Sequence, residues 1–267
     1  MLLKSIDQLG NTIQINFPPQ RIVSLVPSQT EFLFDIGLDA EIVGITRFCI
    51  HPAQKVQNKT KIGGTKKFNI ERIKSLNPDL IIGNKEENYE LGIKELSAHF
   101  PVWISDIFSL KDAYSMMREL GRITGKYVEA DTLATSIKEQ FSSFDTGIVE
   151  RENERSCAYF IWRKPYMVAG KGTFIDSMLQ RCGLENAFRL ERYPEVNVET
   201  LVNANPDVIL LSSEPYPFKE KHINELKAIV PHAKIKLVDG ELFSWYGSRL
   251  LHAPKYFEQL INDLKSV

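Results

Sequence analysis

Cysteine is scarce: the 267-residue sequence has three, Cys49, Cys157 and Cys182, with no Cys-x-x-Cys and no close pair. This excludes zinc ribbons and dithiol redox sites, which need neighbouring thiolates, and permits at most one disulfide. The odd count predicts reduced thiols packed as small hydrophobes. No apolar run approaches the roughly 20 residues of a membrane-spanning helix, and residues 1–11 carry neither an apolar stretch nor a small-residue cleavage site. The expectation is a soluble chain without an export signal. Charge of one sign is missing too, with 33 Lys and Arg against 34 Asp and Glu. No bulk positive field exists to gather phosphates, so nucleic acid is not an expected partner.

Catalytic signatures are equally thin. HExxH, GxSxG and GxGxxG do not occur, and no Cys/His pair stands in a nucleophile's context. Ala169-Gly170-Lys171-Gly172-Thr173 superficially resembles a phosphate loop, but Gly172 breaks the Gly-Lys-Ser/Thr order and the upstream glycine is missing. The sequence therefore predicts a non-enzyme with no resident metal or intrinsic cofactor.

What is present is ordinary globular composition, 43% hydrophobic and 25% charged, at a length of roughly one and a half to two domains. Short, β-branched apolar runs at residues 22–26, 41–45, 79–82 and 102–104 read as strands buried on both faces of a parallel sheet. Helical segments at 30–37, 69–76 and 89–98 separate them, each closed by a nearby glycine or proline. The same alternation returns with strands at 157–162, 207–211 and 235–238 and helices at 173–182, 199–204, 219–230 and 249–264. From Leu110 to about Glu154 there is no proline, and apolar residues recur every three or four positions, which predicts a helical connector broken near Gly125. The polar stretch 150–156 reads as its solvated end. The predicted fold is α/β: two Rossmann-like lobes with mainly parallel sheets, 1–109 and 156–267, joined through a helical segment at 110–155 that holds one long helix.

An internal repeat supports two related lobes. Asn69-Ile70-Glu71-Arg72-Ile73, four residues, then Pro78-Asp79-Leu80-Ile81-Ile82 is answered by Asn197-Val198-Glu199-Thr200-Leu201, four residues, then Pro206-Asp207-Val208-Ile209-Leu210. The offset is 128 positions (199 less 71) throughout. Gly37-Leu38 is answered by Gly183-Leu184 at an offset of 146, so the first lobe carries 18 extra residues (146 less 128) between the two echoes, Arg47 to His51 among them.

Ligands of parallel sheets sit outside the carboxyl ends of the strands. That rule nominates residues 27–30, 47–51, 83–85 and 105–106 in the first lobe, and 163–166, 212–217 and 239–249 in the second. The second set is rich in rings: Trp162, Tyr166, Tyr193, Tyr216, Phe243, Trp245 and Tyr246 fall in or beside predicted loops, where they are exposed unless covered. Arg249 either pairs an anionic ligand group or begins the last helix. His51 is either a solvated histidine or a ligand contact with the chemistry of an axial metal ligand, and Glu241 is a ligand acceptor or a surface carboxylate. Glu71 and Glu199 each follow an Asn in a first helical turn, where a carboxylate meets the helix dipole. Their symmetric placement also suits docking to a two-fold partner with basic pockets.

Asp7-Gln8-Leu9-Gly10-Asn11, the run Pro19 to Glu31, and the Asn-x-Glu-Arg-Ile and Asn-Pro-Asp-Leu-Ile-Ile segments together resemble the substrate-binding proteins of ABC importers for vitamin B12, ferric siderophores and haem. These are the helical-backbone metal receptors, class III periplasmic binding proteins, and the similarity runs from about residue 7 to 265. The resemblance implies a ligand cleft between lobes, with the long helix permitting only modest closure. It implies capture of a metal chelate, a corrinoid, ferric siderophore or haem, for delivery to a permease dimer with its ATPase, by a free monomer outside the cytoplasm or at the cell surface. The two lobe-tip glutamates of the vitamin B12-binding members, which contact permease arginines, fall on Glu71 and Glu199. Their cleft Tyr falls on His51, a Trp on Tyr193, an Asp on Glu241, and two further Trp on Thr65 and Asn84, so two aromatic platforms are absent here. Trp162, Trp245 and Tyr246 are the expected substitutes, with Gln29, Asn84, Tyr166 and Arg249 completing the expected ligand contacts. The disulfide partner of the Cys matched by Cys182 is absent, which implies a free thiol. The missing export signal motivates the alternative, a cytosolic metal-chelate handling protein or enzyme on the same fold.

Overall fold

The computed structural model describes residues 1–147 and 155–265, in two compact units, Met1–Lys138 with Tyr246–Arg249, and Glu139–Trp245 with Leu250–Val267. In the first, strands β1 (Leu2–Ile6) and β2 (Thr12–Asn16) form an antiparallel hairpin that the sequence pattern did not announce. Asp7 shapes its turn, its Oδ1 accepting from the amides of Leu9 at 2.9 Å and Asn11 at 2.7 Å. Then follow β3 (Ile22–Ser24), α1 (Pro27–Asp35), β4 (Ile42–Ile45), α2 (Ala53–Val56), β5 (Thr60–Lys61), α3 (Ile70–Ser75), β6 (Leu80–Asn84), α4 (Glu90–Ser97) and β7 (Val102–Ser105). The strands make one parallel sheet in the order β5-β4-β3-β6-β7. Val23, Leu25, Ile81 and Ile104 pack from the sheet against Ile73 and Leu96 of the helices, which is why these strands read as unbroken apolar runs.

Helix α5 (Leu110–Thr124) buries Met116, Met117, Leu120 and Ile123 along one stripe. Gly125 ends it at φ 76°, a left-handed conformation that costs glycine nothing, its amide donating to the Gly121 carbonyl. Helix α6 (Tyr127–Gly147) runs for 21 residues, which at ~1.5 Å per residue is about 30 Å. A Cβ on Gly121 would lie 2.3 Å from that of Ala130, so the two helices cross at a glycine no other residue can replace without displacement. Residues 148–154 lie outside the described residues, and with them most of the predicted polar end of the connector, 150–156.

The second unit contains β8 (Arg155–Trp162), β9 (Tyr166–Val168), α7 (Phe174–Arg181), β10 (Leu184–Asn186), β11 (Glu195–Val196), α8 (Val198–Ala204), β12 (Val208–Ser212), α9 (Glu220–Ile229), β13 (Lys234–Val238), α10 (Gly240–Ser244) and α11 (Ala253–Lys265). β8, β10, β12 and β13 are parallel, and the short β9 and β11 add antiparallel edges. The mainly parallel α/β class predicted from sequence is the one observed. Most boundaries shift by one or two residues, and three differences bear on the site. The first helix starts at Pro27, not Thr30, because proline at the first helical position needs no amide partner. Residues 240–244, expected as loop, are a helix capped by the Asp239 carboxylate. The last helix starts at Ala253, with Arg249 in a preceding 3-10 turn, Ser248–Leu251.

Candidate functional site: two sheet edges and two helix tips

The sequence repeat is a structural repeat. Asn69 and Asn197 cap α3 and α8, each side-chain oxygen accepting an amide three residues on, from Arg72 and Thr200, both at 2.8 Å. The aspartate of each Pro-Asp pair then clasps the start of the neighbouring strand: Asp79 accepts from the amides of Gln20 at 2.7 Å and Arg21 at 2.8 Å ahead of β3. Asp207 accepts from the amide and hydroxyl of Ser156 in β8, both at 2.9 Å. Gly37 and Gly183 follow α1 and α7 at φ 87° and 72°. The architecture thus places Glu71 and Glu199 alike, exposed in the first turn of a capped helix. They differ in company: Glu71 is paired with Lys74 at 3.0 Å, whereas Glu199 is flanked by the exposed Val198 and Val202.

At the carboxyl edge of the first sheet, two expected ligand contacts are engaged inward. Gln29 is fully buried in the first turn of α1, its amide nitrogen 2.6 Å from Ser105 Oγ and its Oε1 enclosed without a hydrogen-bond partner among the described residues. Asn84 is buried as well. It donates to Ser105 Oγ at 2.9 Å and accepts from the amides of Glu86 and Glu87 at 2.8 and 3.0 Å. These side chains hold the loops after β6 and β7 rather than presenting themselves to solvent. His51 and Thr65 are half-buried in the loops after β4 and β5, with the Thr65 carbonyl accepting from Asn88 at 3.1 Å. Arg249 is committed to a bidentate pair with Glu31 of α1, 3.0 and 2.7 Å, and Ser248 bonds Asp35 one turn further along. Arg249 does not begin the last helix, which starts at Ala253, and its guanidinium has an internal carboxylate, Glu31, that the sequence reading did not name.

The second sheet edge is more aromatic. Trp162 ends β8, is 39% exposed, and meets Tyr216 edge-on at 5.8 Å. Tyr166 is half-buried and donates its phenol proton to Glu225, which also takes a bidentate contact from Arg163, 2.7 and 3.3 Å. Burial, reinforced by that carboxylate, pushes the Tyr166 phenol up to about 12, and the Arg163 and Tyr166 hydrogen bonds hold Glu225 below the ordinary range. Tyr216 stands 3.3 Å from Nε2 of the buried His222, whose Nδ1 accepts the Lys219 amide at 2.8 Å. Burial, then the Arg163 and Lys221 charges, lowers the His222 pKa. Tyr193 and Glu241 are half-buried. Trp245 and Tyr246, expected as exposed rings, are each only 7% exposed, and Phe243 not at all. The Trp245 indole donates to Glu214 at 2.8 Å, a partner 31 residues away that no local pattern reveals.

His222 and Glu225 lie outside the loops the strand-end rule nominates, and Arg163 and Glu214, inside them, show their roles only through Glu225 and Trp245, partners 62 and 31 residues away. All three cysteines are buried free thiols, as the spacing predicts, and burial raises the pKa of Cys49 and Cys157. Thr173, in the rejected phosphate-loop stretch, spends its hydroxyl on capping α7. Among the described residues no three His, Cys, Asp or Glu side chains gather into a metal site, and no helix is long and apolar enough to cross a membrane.

Two mainly parallel units sharing a capped-helix and strand-clasp repeat, with a 21-residue helix beginning in one and ending in the other, define a bilobal α/β binding-protein class. Residues 22–231 match the periplasmic binding protein family, and the chain belongs to it. An uncharacterized ABC transporter substrate-binding lipoprotein of Bacillus subtilis is 27% identical, over 92% of this chain and 82% of that protein. The vitamin B12-binding protein of Pectobacterium carotovorum is 26% identical over 74% of this chain and 72% of its own length. Among solved structures, the periplasmic haem-binding protein RhuT of Roseiflexus superposes with a TM-score of 0.80 at 22% identity, covering 92% of this chain and 99% of that one.

Proposed function

We propose that this chain is the extracytoplasmic substrate-binding protein of an ABC importer, and that it captures a metal chelate, a corrinoid, ferric siderophore or haem, and delivers it to the permease. The observation that carries this is the match to the binding-protein family across both sheets, residues 22–231. The vitamin B12 and haem ligands named for its relatives point to the chelate. In this reading the exposed rings at the strand ends, Trp162 foremost, stack on an apolar ligand face. His51, Tyr193 and Glu241 meet the ligand's polar edges, and the chain binds without transforming what it carries. Glu71 and Glu199 dock on basic pockets of the permease dimer.

Titration with aquocobalamin, haemin and ferric siderophores, read by tryptophan quenching, is expected to give saturable binding to one of them; no binding to any refutes the chelate reading. Joint replacement of Glu71 and Glu199 by Lys is expected to abolish uptake with ligand affinity unchanged. An undiminished uptake rate would remove the docking role.

A further inference from the structure

The 18 residues by which the first half of the repeat exceeds the second (146 less 128) contain a surface that neither the family match nor the aromatic pattern assigns. After β4, two residues are anchored inward: Thr46 is fully buried and Cys49 is 1% exposed, their Oγ1 and Sγ 3.2 Å apart, with Cys49 also 3.2 Å from the Thr30 hydroxyl. The Cys49 amide donates back to the Thr46 carbonyl at 3.2 Å, and the Arg47 amide donates to Gly63 at 2.8 Å. Pinning 46 and 49 turns the intervening Arg47 and Phe48 outward, Phe48 to 48% exposure, and Ile50, the next residue after the second anchor, is 51% exposed. Large apolar side chains left in solvent at a strand's carboxyl end, on a loop with a fixed backbone, are the mark of a binding surface.

Arg47 gives that surface a sign. Its guanidinium lies 4.8 Å from the centre of the Phe48 ring. Among the described residues it has no carboxylate partner, unlike Lys85 in the loop after β6, which is paired with Asp106 at 2.7 Å. The Phe48 ring in turn rests on Gly64, where an added Cβ would stand 3.1 Å from Cε2 and 3.7 Å from Arg47 Nε. A glycine seat, an aromatic face and a planar cation beside it form one shelf.

We propose that Arg47, Phe48 and Ile50 form a ligand-contacting shelf, and that the shelf selects a chelate whose flat apolar face is bordered by carboxylate. The face packs on Phe48 and Ile50, and the carboxylate takes the guanidinium fork in a bidentate, charge-assisted contact. This rests on the chelate reading above and narrows it, since a macrocycle edge of neutral amides offers the guanidinium carbonyl acceptors but no negative charge to pair with.

The test uses the full chain with haemin, haemin dimethyl ester and aquocobalamin as probes. Arg47→Gln is expected to weaken haemin at least about tenfold, the scale of one charge-assisted bond. Arg47→Lys is expected to fall between, and the dimethyl ester to bind wild type and Arg47→Gln alike. Gly64→Ala, which displaces the ring but keeps the charge, is expected to weaken haemin and its ester equally. Haemin affinity unchanged in Arg47→Gln, or wild type binding aquocobalamin more tightly than haemin, overturns the shelf while leaving the chelate reading standing. A wild-type chain that binds none of the three, nor a ferric siderophore, overturns the chelate reading and the shelf with it.

Discussion

Arg249→Met removes a planar cation from a shielded site while keeping most of the packing of its stem. The Arg249 and Glu31 side chains are 16% and 13% exposed and share two contacts, 3.0 and 2.7 Å. A hydrogen bond to a charged group contributes about 1.5–3 kcal/mol, and cutting one side of a buried pair strands the other charge. With some water still reaching both groups, the single variant is expected to lose about 3 kcal/mol. The double variant with Glu31→Gln strands no charge and is expected to lose only about 1 kcal/mol more than Glu31→Gln alone, so the cycle gives a coupling of about 2 kcal/mol. Urea unfolding is the assay, read through Trp103, which is buried in this unit, with Trp162→Phe and Trp245→Phe silencing the other unit. A coupling under about 0.5 kcal/mol, the value of an exposed pair, would refute the claim that this contact fastens residues 246–249 to α1.

The two strand clasps give a parallel expectation: Asp79→Ala and Asp207→Ala each exchange two carboxylate-accepted hydrogen bonds for bonds to water. Each is expected to cost about 2 kcal/mol in denaturant unfolding, and because they share no partner the double variant should cost the sum. His222 predicts a pH effect. Its folded pKa is lowered by burial and by Arg163 and Lys221, with Glu225 opposing them, so the unfolded chain binds the extra proton first. Its contribution to stability is full above the ordinary histidine value of about 6.5 and is lost as pH falls below it. Melting temperatures at pH 7.5 and 5.5 should therefore diverge less in His222→Asn than in wild type.

The parts of the fold legible in sequence are those whose cause is local. Strands buried on both faces, such as Leu80–Asn84, show as apolar runs, and Asn69 and Asn197 announce their helices because a cap acts within three residues. The candidate site was less legible for the opposite reason. Gln29 and Asn84 look like solvent-facing polar residues until Ser105, 76 and 21 positions away, is seen to take them inward. Trp245 is covered through Glu214, and Arg249 is neutralised by a residue 218 positions distant. Phe48 lies in a loop the strand-end rule nominates, but its exposure is not legible there because it follows from what Thr46 and Cys49 do beneath it.

Tyr246–Arg249 belong to a unit whose other residues end at Lys138. A chain emerging from its amino terminus presents Glu31 and Asp35 early, yet their partners Arg249 and Ser248 arrive more than 200 residues later. At about 5–20 residues per second of synthesis, that interval is roughly 10–40 s, during which the α1 surface awaiting Gly247 stands open. Residues 1–138 hold all five strands of the first sheet and lack this last piece, so the unit made first is completed only when residues 246–249 leave the ribosome.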